Sequence, residues 1–169
     1  KTGKMKWKRQ LHSDDAWNVA CGVPGLTANC PDEKGPDFDF GAPPILITTS
    51  EGRDLLVAGQ KSGMVYALDP ENEGELVWSR KVGRGGILGG VHWGLATSDD
   101  AVYVPISDAD LLNRVFPGEP NPSISKLDLN SGEIIWQTKV NFDCGDIKGC
   151  RNGLSAAITL IDGAVIAPG

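Results

Sequence analysis

Two carboxylates two positions apart, Asp37 and Asp39, and an ammonium in a nearby turn, Lys61 of Gln60-Lys61-Ser62-Gly63, are the residues whose types and spacing could do chemistry. In an extended segment alternate side chains leave the same face. Asp37 and Asp39 could therefore offer hard oxygen ligands to one cation such as Ca2+, or one of them could accept a proton. The bland reading of the same residues is an Asp-rich turn capping the next strand, with Lys61 a solvated hairpin lysine. Arg84, within Gly83-Arg84-Gly85-Gly86-Ile87-Leu88-Gly89-Gly90, is a second candidate cation for an anionic ligand. Trp93 follows Gly89-Gly90, where absent side chains let backbone approach a planar ligand or a neighbouring layer, and it reads either as a ligand contact or as core.

Other chemistries find less support. The glycines do not form Gly-x-Gly-x-x-Gly between a strand and a helix, which excludes a dinucleotide fold, and Ser155 has no nucleophile-elbow motif around it. Neither His12 nor His92 has a second His nearby. The four cysteines form two close pairs, Cys21/Cys30 and Cys144/Cys150, at spacings that match no Cys-x2-Cys zinc pattern. Of three connectivities, the two local bridges close short loops, each worth roughly 2–3 kcal/mol on the chain-entropy model, and they imply an oxidising compartment. A net charge of −6 without a basic stripe argues against a nucleic-acid partner. No apolar run approaches the roughly 18 residues needed to cross a bilayer.

The elements that must position these residues are strands. Gly3-Lys4-Met5-Lys6-Trp7, Gly74-Glu75-Leu76-Val77-Trp78 and Gly132-Glu133-Ile134-Ile135-Trp136 are three copies of one pattern. The last two each follow an apolar strand ending in a turn acid, Asp69 or Asp128. The repeat unit is a β-hairpin with a large ring at period two on one face. High glycine (22) and proline (11) and the lack of a sustained helical period give an all-β class. Trp spacing from 7 to 78 to 136 suits four-stranded propeller blades with inserted loops, three unrelated hairpins in a sandwich being the alternative. Strands are expected near 4–11, 45–48, 54–60, 64–69, 75–81, 93–98, 101–107, 123–128, 133–140, 153–161 and 164–167. Residues 110–116 read as a surface loop. The expected architecture is roughly two four-stranded antiparallel blades plus partial neighbours, in a domain over residues 1–169 that is incomplete at both ends.

These segments resemble the pyrroloquinoline quinone (PQQ) dehydrogenase repeat, whose motif is like Ala-x-Asp-x-x-x-Gly-x-x-x-Trp. Ala67, Asp69, Gly74 and Trp78 match it with one extra residue; Asp128, Gly132 and Trp136 match at standard spacing, with Lys126 in the Ala position. The series Thr2-Gly3-Lys4-x-x-Trp7-x-x-Gln10, His12, Asp15-Ala16-Trp17-Asn18, Asp37-Phe38-Asp39, Gln60-Lys61-Ser62-Gly63 and Tyr66-x-Leu68-Asp69 is similar to quinoprotein alcohol dehydrogenases. Gly89-Gly90-Val91-His92-Trp93-Gly94 and Trp17-Asn18-x-x-Cys21 look most like the polyvinyl-alcohol dehydrogenase branch. In the alcohol dehydrogenases the catalytic, metal-binding Asp directly follows the Trp, whereas here Asn18 does and a cysteine-bearing insertion intervenes. Either Asp37 takes the catalytic place after the insertion, or Asn18 sits there and the acid lies elsewhere. The resemblance implies a PQQ- and Ca2+-dependent enzyme, periplasmic or secreted, that oxidises an alcohol substrate and passes electrons to cytochrome c. It also implies Asp37 as base and metal ligand, Asp39 and Asn18 as candidate metal ligands, and Lys61, Arg84 and Trp93 against the cofactor. No Cys-x-x-Cys-His haem motif occurs. A non-catalytic propeller scaffold, such as an outer-membrane assembly lipoprotein, would need the repeat but not the series at 15–18, 37–39 and 60–63.

Overall fold

The computed structural model describes residues 2–108, 121–150 and 152–169; the loop expected at 110–116 lies outside them. Four antiparallel strands, β1 (Ile45–Thr48), β2 (Asp54–Gly59), β3 (Met64–Asp69) and β4 (Glu75–Lys81), pair in sequence order into one sheet. β5 (Ala96–Thr97), β6 (Ala101–Ile106), β7 (Ser123–Asp128) and β8 (Ile134–Lys139) repeat that order in a second. A hairpin, β9 (Thr159–Ile161) with β10 (Ala164–Ile166), follows. The two four-stranded sheets are consecutive propeller blades.

The blades share a register defect. Opposite β4, the ladder slips between Ala67 and Leu68; opposite β8, it slips between Lys126 and Leu127. A bulge at the same repeat position bends both outer strands alike and aims the Trp that pairs with Ala67 or Lys126. Leu55, Val57, Val65 and Ala67 of the first sheet join Val102, Val104, Ile106 and Leu127 of the second in one buried cluster. β2 and β3 are nearly continuous apolar runs, and the alternate residues Leu55/Val57 and Val65/Ala67 give the face that enters that cluster.

Trp78 joins the two sheets. Its ring is buried and rests on Gly132 in the turn after β7, and its indole N–H donates to Leu129 O at 2.9 Å. Two residues on, Arg80 Nε donates to Gly132 O at 2.7 Å. Trp7 makes the same attachment one unit earlier, packing on Gly74 and donating to Pro70 O at 3.1 Å, with Arg9 Nε to Gly74 O at 3.0 Å. Both glycines have φ near +70°, and a Cβ there would overlap the indole, so the turn requires Gly twice over. Trp136 does not follow suit: it remains 39% exposed, and Gln137-Thr138 replaces the x-Arg pair. The shared repeat pattern does not dock Trp136 as it docks Trp78, because no described turn offers it a glycine and a carbonyl.

Three strand expectations also shift. Residues 4–11 pair with no strand among those described, and 93–98 and 153–161 contract to Ala96–Thr97 and Thr159–Ile161. Both disulfides form as expected, Cys21–Cys30 and Cys144–Cys150. The first joins the end of one short 3-10 turn, Val19–Cys21, to the residue that follows a second, Thr27–Asn29. No helix among the described residues is long and apolar enough to cross a membrane.

Removing the Trp78 ring should leave a cavity between the sheets, so Trp78→Ala is expected to cost about 3–5 kcal/mol. Gly132→Ala removes no contact, yet should cost about 1–3 kcal/mol through positive φ and overlap with the ring. Urea unfolding followed by tryptophan fluorescence measures both; a Gly132→Ala protein as stable as wild type would refute the docking argument.

Candidate active site

The turn between β2 and β3 is held from several sides. Gly63 N–H donates to Gln60 O, and Gln60 N–H to Met64 O, both at 2.9 Å, closing the turn. Gly86 N–H reaches Lys61 O at 3.0 Å, Val91 N–H reaches Gln60 O at 3.1 Å, and Lys61 N–H reaches Asp39 O at 3.0 Å. Beneath it, Gln60 is 1% exposed, and its Oε1 accepts from the Ser62 and Tyr66 hydroxyls at 2.6 and 3.3 Å. The glycine-rich segment, whose missing side chains suited close approach to a planar ligand or a neighbouring layer, lies against this turn: a Cβ at Gly85 would come within 2.6 Å of the Ser62 carbonyl carbon, and one at Gly90 would reach the Gly63 nitrogen. With its backbone fixed, the Lys61 side chain has little freedom.

Lys61 Nζ lies 3.1 Å from Asp37 Oδ2 and 2.8 Å from Asp39 Oδ2. The three candidate residues converge at one end of the first blade, where the turn and the entry loop meet. Their environments differ. Asp37 is buried, whereas the Asp39 side chain is 65% exposed, so one carboxylate faces protein and the other faces solvent. Burial pushes the Asp37 carboxyl above its usual value despite the Lys61 hydrogen bond and charge. The Lys61 hydrogen bond holds Asp39 below its usual value. Burial alone would lower Lys61, but hydrogen bonds and charges from Asp39 and Asp37 outweigh it and keep the ammonium charged.

Beside the triad opens a cleft of about 290 Å³ lined by Arg9, Gln10, His12, Phe38, Asp39 and Phe40 among others. A larger cleft of about 830 Å³, bordered by Tyr103, Trp136 and the β9–β10 hairpin, lacks a carboxylate pair. Of the Asp37–Lys61–Asp39 cluster, Asp39 lines the smaller cleft.

Asn18 caps the first 3-10 turn. Its Oδ1 accepts from Ala20 N–H at 2.9 Å and its Nδ2 donates to Asn29 O at 3.1 Å, so both ends of its amide are used within the cystine loop. Arg84 N–H points to Asp108 Oδ2 at 3.4 Å, and Lys81 Nζ donates to Arg84 O at 3.3 Å. Trp93 is 37% exposed and lies against His92 with ring centroids 4.3 Å apart and planes tilted by 53°, which corrects its reading as core. His92 is a residue the sequence did not single out for this site. Burial, and then the charge of Lys61, hold its imidazole below the usual histidine range, and Asp39 opposes them. Only its position after Gly89-Gly90 hinted at this. Asp15 was visible as part of a motif but not as a partner of the Asp37 backbone.

Asp37 and Asp39 converge on one cation, and that cation is the Lys61 ammonium. They are hard oxygen donors of the kind Ca2+ takes, but among the described residues no group of three or more His, Cys, Asp or Glu is placed to hold a metal ion. The two carboxylates fit part of a shell that requires about six to eight oxygen ligands.

Lys61→Met keeps the aliphatic stem and leaves Asp37 buried without its counter-charge, at an expected cost of about 3–5 kcal/mol near neutral pH. Asp37 carries a raised pKa, so its charge disappears from the folded state as pH falls towards the carboxylate range. The deficit of Lys61→Met should shrink in the same window. Denaturant unfolding of both proteins between neutral pH and about pH 4 measures it. An equal deficit at both ends of that range would show that the ion pair is not its source.

No protein-family model matches the chain. Polyvinylalcohol dehydrogenase from Sphingopyxis sp. (strain 113P3) is 38% identical over 174 residues, covering 98% of this chain and 26% of that protein. Polyvinylalcohol dehydrogenase from Pseudomonas sp. is 40% identical over 169 residues, covering 98% and 25%. The chain thus spans about a quarter of the length of these relatives. Among solved structures, BamB from Moraxella catarrhalis aligns over 75% of this chain and 53% of its own at 17% identity, with a TM-score of 0.30, a likeness too weak to build on. Over 98% of its length, on a framework of repeated four-stranded sheets, this chain is thus similar to one part of these polyvinyl alcohol dehydrogenases.

Proposed function

We propose that these residues contribute acid–base and anchoring side chains to a periplasmic, PQQ- and Ca2+-dependent quinoprotein dehydrogenase. It oxidises secondary hydroxyls, polyvinyl alcohol among them, and passes electrons to cytochrome c; the chain forms part of its propeller domain. One observation carries the reading: a buried ammonium, Lys61, held between the carboxylates of Asp37 and Asp39 beside a cleft. Such a cluster is costly to bury and is retained where its charges are used. The likeness to dehydrogenases supports the reaction class. The two disulfides suit an oxidising compartment.

When bound, PQQ supplies an electrophilic carbonyl that accepts hydride from the alcohol carbon. The chain's own residues then divide the work. Asp37, whose burial makes it a better proton acceptor than an ordinary aspartate, takes the hydroxyl proton. Lys61 presents its ammonium to the quinone oxygens, as a point charge rather than the bidentate fork of an arginine. Asp39 balances Lys61 and, with Asp37, offers oxygen ligands to Ca2+. Arg84 and Trp93 would help hold the cofactor, and Phe38 and Phe40 give the cleft an apolar wall for the substrate's carbon chain. Proton acceptance falls to Asp37, while Asn18, which follows Trp17, spends both ends of its amide within the cystine loop.

The intact protein, reconstituted with PQQ and Ca2+, should show quinone absorbance and oxidise secondary alcohols. Asp37→Asn should bind PQQ yet turn over about 10²- to 10⁴-fold more slowly. Near-normal turnover in that variant places the base elsewhere, and absence of both quinone absorbance and tight PQQ binding in the wild type overturns the cofactor assignment.

A further inference from the structure

We propose that Asp15 is the positioning residue for Asp37, which rests on the reading of Asp37 as the base. Asp15 Oδ1 accepts the Asp37 N–H at 3.0 Å, and Oδ2 accepts the Phe38 N–H at 2.5 Å. One carboxylate thereby holds two consecutive amides from 22 residues away along the chain. Such charge-assisted bonds are among the stronger ones available to a backbone.

The amides need holding. Asp37 has φ of 65°, a left-handed conformation that residues with a Cβ adopt at a cost and keep only where the surroundings impose it. Relaxation to extended backbone would swing the Asp37 side chain away from Lys61. Asp15 opposes that from one side, while Lys61 N–H grips Asp39 O from the other, so the stretch from Asp37 to Asp39 is fixed at both ends.

Asp15 is itself held. Ala16 N–H donates to Lys34 O at 3.0 Å, drawing the two arms of the insertion together. Gly35 lies so close over Asp15 that a Cβ there would stand 2.6 Å from its Cα and 2.9 Å from Oδ1. Between the arms, the Cys21–Cys30 disulfide and the Asn18 cap close the loop. The insertion that displaces the acid from its place after Trp17 is thus the device that returns Asp37 to Asp15.

The test uses the intact, PQQ-loaded protein with Asp15→Asn and Asp15→Ser, each also in the Asp37→Asn background. Asp15→Asn turns an amide donor towards one backbone N–H, and Asp15→Ser is too short to span both. Each should speed hydrogen exchange at the Asp37 and Phe38 amides and lower kcat about 100-fold, with KM within about twofold. Neither should slow turnover further once Asp37 is Asn. Unchanged protection of the two amides, or an equal kcat loss in the Asp37→Asn background, overturns the positioning role. So does failure of both Asp15 variants to fold while Asp37→Asn folds. Faster exchange with unchanged turnover sustains the positioning of Asp37 and refutes instead its role as base.

Discussion

The indole of Trp78 on the glycine turn of the next sheet is the contact from which the rest of the structure follows. A blade alone exposes one apolar face, and the Trp78–Gly132 attachment, with its indole and arginine hydrogen bonds, sets how the next blade covers that face. Trp7 on Gly74 repeats the geometry, although the turn after Asp69 carries one residue more than the turn after Asp128. The extra residue is accommodated by Glu73 at φ 51°, so the glycine and the carbonyl after the acid keep their places. Because the attachment fixes neighbouring sheets, it also fixes which turns and loops meet at each end of the strands.

At one such end the structure tolerates a cost that packing alone would avoid. Lys61 and Asp37 are both buried, and an apolar pair of similar volume would satisfy the core with less desolvation. The geometry instead keeps one carboxylate dry and the other wet, with an ammonium between them, so that the two acids ionise differently. That separation of otherwise identical groups by environment is the usual physical route to a proton acceptor beside a fixed charge.

The segments around this cluster take their irregular shapes from it. The glycine-rich run 83–90 has no strand of its own, because its backbone lies against the Lys61 turn too closely for side chains. Lys61 O accepts a hydrogen bond from Gly86 N–H, and Gln60 O, already bonded to Gly63 N–H within the turn, accepts a second from Val91 N–H. The cystine loop has no core of its own either. Two short turns, one disulfide and the Asn18 cap give it shape, and its contribution to the site is the return of Asp15 to the backbone of Asp37.

The sequence by itself determined what depends on local pattern. Apolar runs bounded by turn residues set β1 to β4 and β6 to β8 with ends within a residue or so, the turn glycines set the repeat, and close cysteine spacing set both disulfides. The Asp37-Phe38-Asp39 and Lys61 signals were legible because residue type and spacing mark them. Tertiary structure alone decided the rest. β5 and β9 are shorter than their apolar runs, with Gly94 packed on Ala157 just ahead of both, and residues 4–11 keep the Trp attachment without a strand partner among those described. Trp136 has the same local sequence pattern as Trp78 but a different burial, since burial of that ring depends on the turn opposite it and not on its neighbours in sequence. The roles of Asp15 and His92 were hidden for the same reason: a hydrogen bond across 22 residues and a charge environment assembled from three loops leave no periodic trace.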